Sequence, residues 1–202
     1  MAKKNAQNTR GKLVAAAWKL FYEQGYDNTT VEDIIAESGA SKGSFYHYFD
    51  GKDALLSSLS DLFDEKYEEL EPLLPQQPDC RSALLYLNQE LFTMIENSVS
   101  MELLARLLSS QLITRGDKHL LDRERTYYKL LRRLVGEAYR NGELAPGVTV
   151  AEVIKAYAMA ERALMYDWCL SQGEYSLTQY SQKMLPHFLG AFWKESCKKV
   201  KI

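Results

Sequence analysis

The sequence predicts an all-α protein, with a short N-terminal module joined to a larger C-terminal helical part. Three observations carry the fold. Apolar residues recur at three- and four-residue spacing along almost the whole chain. No stretch alternates apolar and polar residues between turn signals, so strands are not expected. The prolines avoid the first 71 residues, and three of the five fall within Glu71-Pro-Leu-Leu-Pro-Gln-Gln-Pro78. That segment cannot continue a regular helix and marks a joint, with the helix before it belonging structurally to both parts.

The elements follow in order. From Arg10 to Tyr22 the residues Leu13, Val14, Ala17, Leu20 and Phe21 make one apolar stripe, and Gly25 is placed to stop the helix. Thr30 precedes a short run from Val31 to Glu37 that ends at Gly39, and either Thr29/Glu32 or Thr30/Asp33 can form a capping box. A third short helix follows from Ser41, and a long one runs from Asp50 to about Leu70. Beyond the prolines, helices are expected near 79–97, 100–113, 118–140, 149–172 and 176–199, the last kinked or split at Pro186.

Composition removes several function classes. At 202 residues, with 46% apolar and 26% charged residues, the chain is neither disordered nor collagen-like. Its 25 basic and 27 acidic residues give a net charge of −2, which excludes polyanion binding by bulk charge but leaves room for a local basic patch. No apolar run approaches the ~18 residues that span a bilayer, and the start Met-Ala-Lys-Lys-Asn-Ala-Gln-Asn has no signal-peptide core, so a cytoplasmic location is expected. Cys80, Cys169 and Cys197 form no CxxC pair and read as reduced, partly buried thiols. His47, His119 and His187 are equally scattered, and neither a metal nor a cofactor is expected. An enzyme would have to draw on dispersed groups such as Glu90, Glu96 or Glu161 with His119 or His187; no GxSxG, HExxH or phosphate-binding glycine loop supports one.

The first fifty residues carry the chemistry. Ser38-Gly39-Ala40-Ser41 suits the turn of a helix-turn-helix, because Gly39 can take a positive φ and Ser41 can cap the next helix. Ile34, Ile35, Phe45 and Phe49 are placed to bury one side of the two helices. Lys42, Gly43, Ser44, Tyr46, His47 and Tyr48 remain at the start and outer side of the second, as short or planar groups that can approach a phosphate or base edge. Residues 1–22 hold Lys3, Lys4, Arg10, Lys12 and Lys19 and no acid, a local charge of 5 − 0 = +5.

The stretch from Thr29 to Leu55, with its Gly-Ala-Ser-Lys-Gly-Ser-Phe-Tyr segment and the following Phe-Asp-Gly-Lys-Asp, resembles the DNA-binding domain of TetR/AcrR-type transcriptional regulators. The resemblance runs from about Thr9 to Leu59 and beyond residue 70 is one of length and helical layout only. It implies an N-terminal helix-turn-helix DNA-binding domain at 1–55, a C-terminal helical ligand-binding and dimerisation domain at 56–202, and a dimeric regulator, most simply a repressor released from a palindromic operator by a small molecule. It also implies a bacterial cytoplasmic protein, nucleoid-associated when bound. By position it makes Thr30 a phosphate-holding cap. Ser41, Lys42 and Ser44 become base-edge contacts, Tyr46, His47 and Tyr48 contacts to backbone or bases, and Lys52 a phosphate grip.

In the C-terminal part, Tyr86, Phe92, Met101, Tyr127 and Tyr128, with Arg106 as a polar anchor, are candidate effector-binding residues. Residues of these types at helical spacing also read as plain core. Tyr157, Leu164 and Trp168, followed by Phe188 and Phe192, make two bulky stripes that, by the resemblance, pair with a second copy. An interaction protein that has lost its operator would lack Lys52, the basic arm or Ser41, Gly43 and Ser44, and none of these is lost; an activator, or a protein effector in place of a small molecule, stays open.

Overall fold

The computed structural model describes residues 2–113 and 118–194, with side chains from Thr9 onward. Cys197 and the side chains of Lys3 and Lys4 lie outside the described residues. The helices are α1 (Ala2–Gln24), α2 (Val31–Ser38), α3 (Lys42–Tyr48), α4 (Lys52–Leu56), α5 (Ser58–Leu70), α6 (Cys80–Ser98), α7 (Met101–Ile113), α8 (Thr126–Arg140), α9 (Val150–Leu170) and α10 (Leu177–Leu189). Short 3-10 turns occupy Glu71–Gln76, His119–Leu121 and Gly190–Phe192. Among the described residues the extended pairing is one isolated antiparallel bridge, Leu144 to Trp193. No described helix is long and apolar enough to cross a membrane.

The chain forms two compact units: residues 1–62 with 106–120, and residues 63–105 with 121–202. In the first, α1 packs on α2 and α3, burying Leu13, Ala17, Phe21, Ile34 and Phe45. Sequence spacing predicts one helix from Asp50 to Leu70, but it is interrupted at Ser57. The hydroxyls of Ser57, Ser58 and Ser60 donate to the carbonyls of Ala54, Leu55 and Ser57 at 2.6, 2.6 and 2.5 Å. Such back-bonding competes with the helical ladder and bends it.

In the second unit α10 packs on α6 and α9, and α8 packs on α9 and α6. Leu84, Leu87, Leu91 and Ile95 of α6 and Val153 and Tyr157 of α9 are inside, the four- and three-residue spacing of a buried helical face. Two helix starts are capped by carboxylates from elsewhere. Asp64 of α5 accepts from the Tyr127 amide of α8 at 3.2 Å and from Arg125 at 2.9 and 3.0 Å. Glu96 of α6 accepts from the amides of Leu177 and Thr178 at 2.7 and 3.1 Å, at the start of α10.

Two further expectations are corrected. The helix expected over 118–140 starts only at Thr126, because the Asp122 carbonyl and side chain accept from the Arg125 and Glu124 amides in a turn. Pro186 does not split the last helix: α10 runs through it to Leu189, well short of 199. So near the C-terminus the missing N–H costs only the ladder bond of the last turn, and the Pro186 carbonyl accepts from Arg81 Nη2 at 3.4 Å.

Burial works to raise the pKa of Glu96, but the hydrogen bonds from Thr178, Ser176 and Leu177 outweigh it and hold the carboxyl below its ordinary value. A depressed folded pKa contributes stability above the unfolded carboxylate pKa and loses it as pH falls through the folded one. Glu96→Ala is therefore expected to lower unfolding free energy by about 1 kcal/mol at pH 7, with the difference shrinking below pH 4; denaturant unfolding at both pH values checks it.

Candidate nucleic-acid interface

The helix-turn-helix is assembled from local rules. Thr30, extended at φ −100°, caps α2: its hydroxyl accepts from the Asp33 amide at 3.1 Å while Asp33 accepts from the Thr30 amide at 2.8 Å. Of the two capping boxes the sequence allows, this is the one formed. Gly39 ends α2 at φ +66°, a conformation that costs other residues roughly 1 kcal/mol or more. Ser41 caps α3 by accepting from the Ser44 amide at 3.0 Å.

Phe45 and Phe49 are buried, and Lys42, Gly43, Tyr46 and His47 of α3 stand exposed. Ser41 is exposed as well, its hydroxyl 2.8 Å from that of Ser44, while Ser44 and Tyr48 are half-buried. Tyr46 is 48% exposed and packs edge-on against Phe45, its ring centroid 5.2 Å away. Lys42 forms an exposed ion pair with Glu32 at 3.1 Å, which lowers the pKa of Glu32 and raises that of Lys42. Such a pair is screened by solvent and readily exchanged for another anion. A Cβ added at Gly43 would meet only Ser41 Oγ, at 3.9 Å. The protein's own packing does not demand glycine there.

The carried-over phosphate contacts have internal partners. Both hydrogen-bonding groups of Thr30 are engaged by Asp33. Lys52 donates to the Tyr26 carbonyl at 2.7 Å, with its ammonium 4.3 Å from the Tyr26 ring centroid. An ammonium has three donors; this bond uses one, and the Asp27 carbonyl at 3.5 Å takes a second. Tyr26 itself, absent from the sequence reading, is a hub: its hydroxyl donates to Asp53, and the Arg106 guanidinium lies 4.6 Å from its ring while pairing with Asp27. Burial, then Asp53, pushes the tyrosine pKa up. No local signal marks a loop tyrosine as such an anchor. Arg10 is held by Asp61 at 3.1 Å and lies over the Phe49 ring. Lys12 and Lys19 line a shallow groove of about 350 Å³ with Ala15, Ala16, Glu37 and Ser38.

The remaining candidates divide differently from the expectation. Arg106, expected as an effector anchor, lies in the first unit against Tyr26 and Asp27. Phe92, Tyr127 and Tyr128 are buried in the second unit, and Tyr86 and Met101 are half-buried there. Of the expected seam residues, Tyr157, Leu164 and Trp168 are enclosed by the chain's own core, with Tyr157 donating to the Leu84 carbonyl and Trp168 to that of Tyr175, both at 2.9 Å. Phe192 is half-buried, and Phe188 is 48% exposed. Cys80 and Cys169 are free thiols, pushed by burial to about 12 and about 11. Among the described residues, no group of three or more His, Cys, Asp or Glu is placed to hold a metal.

Residues 13–59 match the sequence profile of the bacterial regulatory proteins, tetR family. An HTH-type transcriptional regulator from the lacX 3′ region of Lactococcus lactis subsp. lactis is 44% identical over 48 residues, 24% of each chain. YvdT of Bacillus subtilis is 25% identical over 68% of this chain and 70% of its own, and TtgR of Pseudomonas putida is 35% identical over 34% and 32%. The aligned segment thus spans about a quarter of the Lactococcus relative and a third of the Pseudomonas one. Among solved structures, Thermus thermophilus FadR, a TetR-family repressor in complex with lauroyl-CoA, shares the fold at TM-score 0.77 and 20% identity, over 94% of this chain and 97% of that one. Bacillus subtilis FadR in complex with stearoyl-CoA does so at TM-score 0.68 and 20% identity, over 90% and 98%.

Because nothing in the fold crowds position 43, Gly43→Ala is expected to keep or raise stability, by up to about 1 kcal/mol, while weakening duplex DNA binding, the added methyl lying on the exposed face of α3. Thermal unfolding and fluorescence anisotropy on the same preparation separate the two effects.

Proposed function

We propose that the chain, whose residues 13–59 match the tetR family of bacterial regulatory proteins, is a dimeric, sequence-specific repressor released from a palindromic operator by a small-molecule effector. The observation that carries the DNA-binding half is the exposed row on α3. Lys42, Gly43, Tyr46 and His47 are exposed while Phe45 and Phe49 are buried, with Ser41 at the helix start. This is the arrangement by which a recognition helix enters the major groove with its N-terminal residues on base edges. Lys42 exchanges Glu32 for a phosphate or base. The remaining donor of Lys52 and the basic residues of α1 contact the backbone, adding counterion release to the affinity. Thr30 contacts a phosphate where Asp33 yields to it.

A single module covers little DNA, so the reading requires a second copy. The surface offered for it is the outer side of α9 and α10, where Met159, Tyr166 and Leu170 and then Tyr180 and Phe188 are exposed. The α9 residues recur at seven and four positions, one helical stripe. Effector binding among Tyr86, Phe92, Met101, Tyr127 and Tyr128 in the second unit changes the separation of the paired recognition helices. α5 and α7 each contribute residues to both units and so provide covalent links for that change. A differential affinity of ~1–3 kcal/mol releases the operator roughly 5–150-fold.

Selection of bound sequences from a random duplex library at near-physiological salt tests the reading. A palindrome with half-sites about one turn apart, ~34 Å, is expected; no enrichment over non-specific binding overturns it. Lys42→Ala should lower the slope of log affinity against log salt by about one unit. Tyr166→Glu combined with Phe188→Glu should give folded monomers by sedimentation, whereas a dimer that persists places the interface elsewhere.

A further inference from the structure

The core of the second unit contains a carboxyl group that its apolar packing does not explain. Glu161 of α9 is 3% exposed. Asn88 Nδ2 of α6 donates to it at 3.0 Å and the Tyr127 hydroxyl of α8 at 2.7 Å. The Tyr157 hydroxyl also faces it, its proton shared between Glu161 and the Leu84 carbonyl, which lies at 2.9 Å. Two more buried polar atoms lie in this cluster without a partner: Asn88 Oδ1 and the hydroxyl of Tyr67 on α5. Both residues are almost wholly buried, at 0% and 1% exposure.

Charge is unbalanced in the same place. The neighbouring Arg125 is held by Asp64 through two hydrogen bonds, so much of its charge is offset there. Arg162, adjacent in sequence, is half-exposed, and among the described residues no lysine or arginine pairs with Glu161. The walls are aromatic: the Tyr67 and Tyr127 rings lie 5.1 Å apart, and Tyr127 and Tyr157 stack at 6.4 Å. Buried acceptors, one unbalanced carboxyl and several ring faces form the environment that recognises an organic cation.

We propose that Tyr67, Asn88 and Glu161 form an amine-binding site, taking the protonated amino head of a ligand whose remainder is apolar. A primary ammonium carries three donors and no acceptor, and Glu161, Asn88 Oδ1 and the Tyr67 oxygen supply three acceptors. Burial raises the pKa of Glu161 in the free protein, with Asn88 and Tyr127 opposing. A bound cation would offset that cost of burial. This deepens the effector reading above and rests on it for the link to DNA.

Three matched compounds test it by calorimetry on the DNA-free protein: 4-phenylbutylammonium, 4-phenylbutanol and 4-phenylbutanoate. The ammonium should bind at least ~10-fold more tightly than the other two. Glu161→Gln should abolish that preference and leave the alcohol's affinity unchanged. Tyr67→Phe, which removes a hydroxyl that has no partner, should keep or raise thermal stability while weakening the ammonium several-fold, and it serves if Glu161→Gln does not fold. Equal or tighter binding of the alcohol or carboxylate, or a variant that binds the ammonium as tightly as the parent chain, overturns the site. Operator release is read separately. Ammonium binding that depends on Glu161 but leaves DNA affinity unchanged upholds the site and removes its role as the effector site; release by another compound while the ammonium fails to bind does the reverse.

Discussion

The first unit is organised around the ring of Tyr26. Lys52 holds its carbonyl, Asp53 accepts its hydroxyl proton, Phe21 packs at 4.9 Å, and Arg106 approaches its face while pairing with the adjacent Asp27. These partners come from α1, α4 and α7, so one loop residue ties three helices to the segment that leads into the Thr30 cap. The start of α2, and with it the placement of α3, depends on that loop staying where it is. Cation–π contacts and a hydrogen bond from a charged donor are each worth on the order of 1–2 kcal/mol when partly desolvated. Their sum is comparable to a large part of what holds a small domain folded.

The two units use charge in different ways. On α2 and α3 the ionic groups are exposed and paired with neighbours that solvent or a polyanion can replace. In the second unit carboxylates work inside the protein. Asp64 and Glu96 accept from the first amides of helices contributed by other parts of the unit, and Glu161 sits in the core with polar partners that are only partly satisfied. Buried polar groups are costly unless every member is bonded. A core that retains Tyr67 and Asn88 with unpartnered atoms therefore gives up stability that an all-apolar core would keep. On the reading proposed here, that loss is the counterpart of ligand recognition.

How far the fold was legible depends on the range of the interaction. Helix periods, the Thr30 and Ser41 caps and the Gly39 turn are set by residues within about four positions of one another, and the sequence displays such patterns directly. The exposed row of α3 follows from the same periodicity once Phe45 and Phe49 are inward. The interruption at Ser57 was less visible, since three serines acting on their own backbone resemble ordinary polar positions.

Sequence by itself determined the all-helical class, most helix boundaries, the helix-turn-helix and the resemblance it carries. Tertiary structure alone decided that Arg106 serves the Tyr26 loop and that Tyr157, Leu164 and Trp168 are core rather than surface. It alone brought Glu161 to Asn88 and Tyr127, 73 and 34 positions away, and Glu96 to Leu177, 81 positions away. The physical reason is that an apolar stripe specifies that a helix face is buried without specifying by what. A carboxylate in a polar-looking position likewise gives no sign of the distant amide or hydroxyl that folding brings to it.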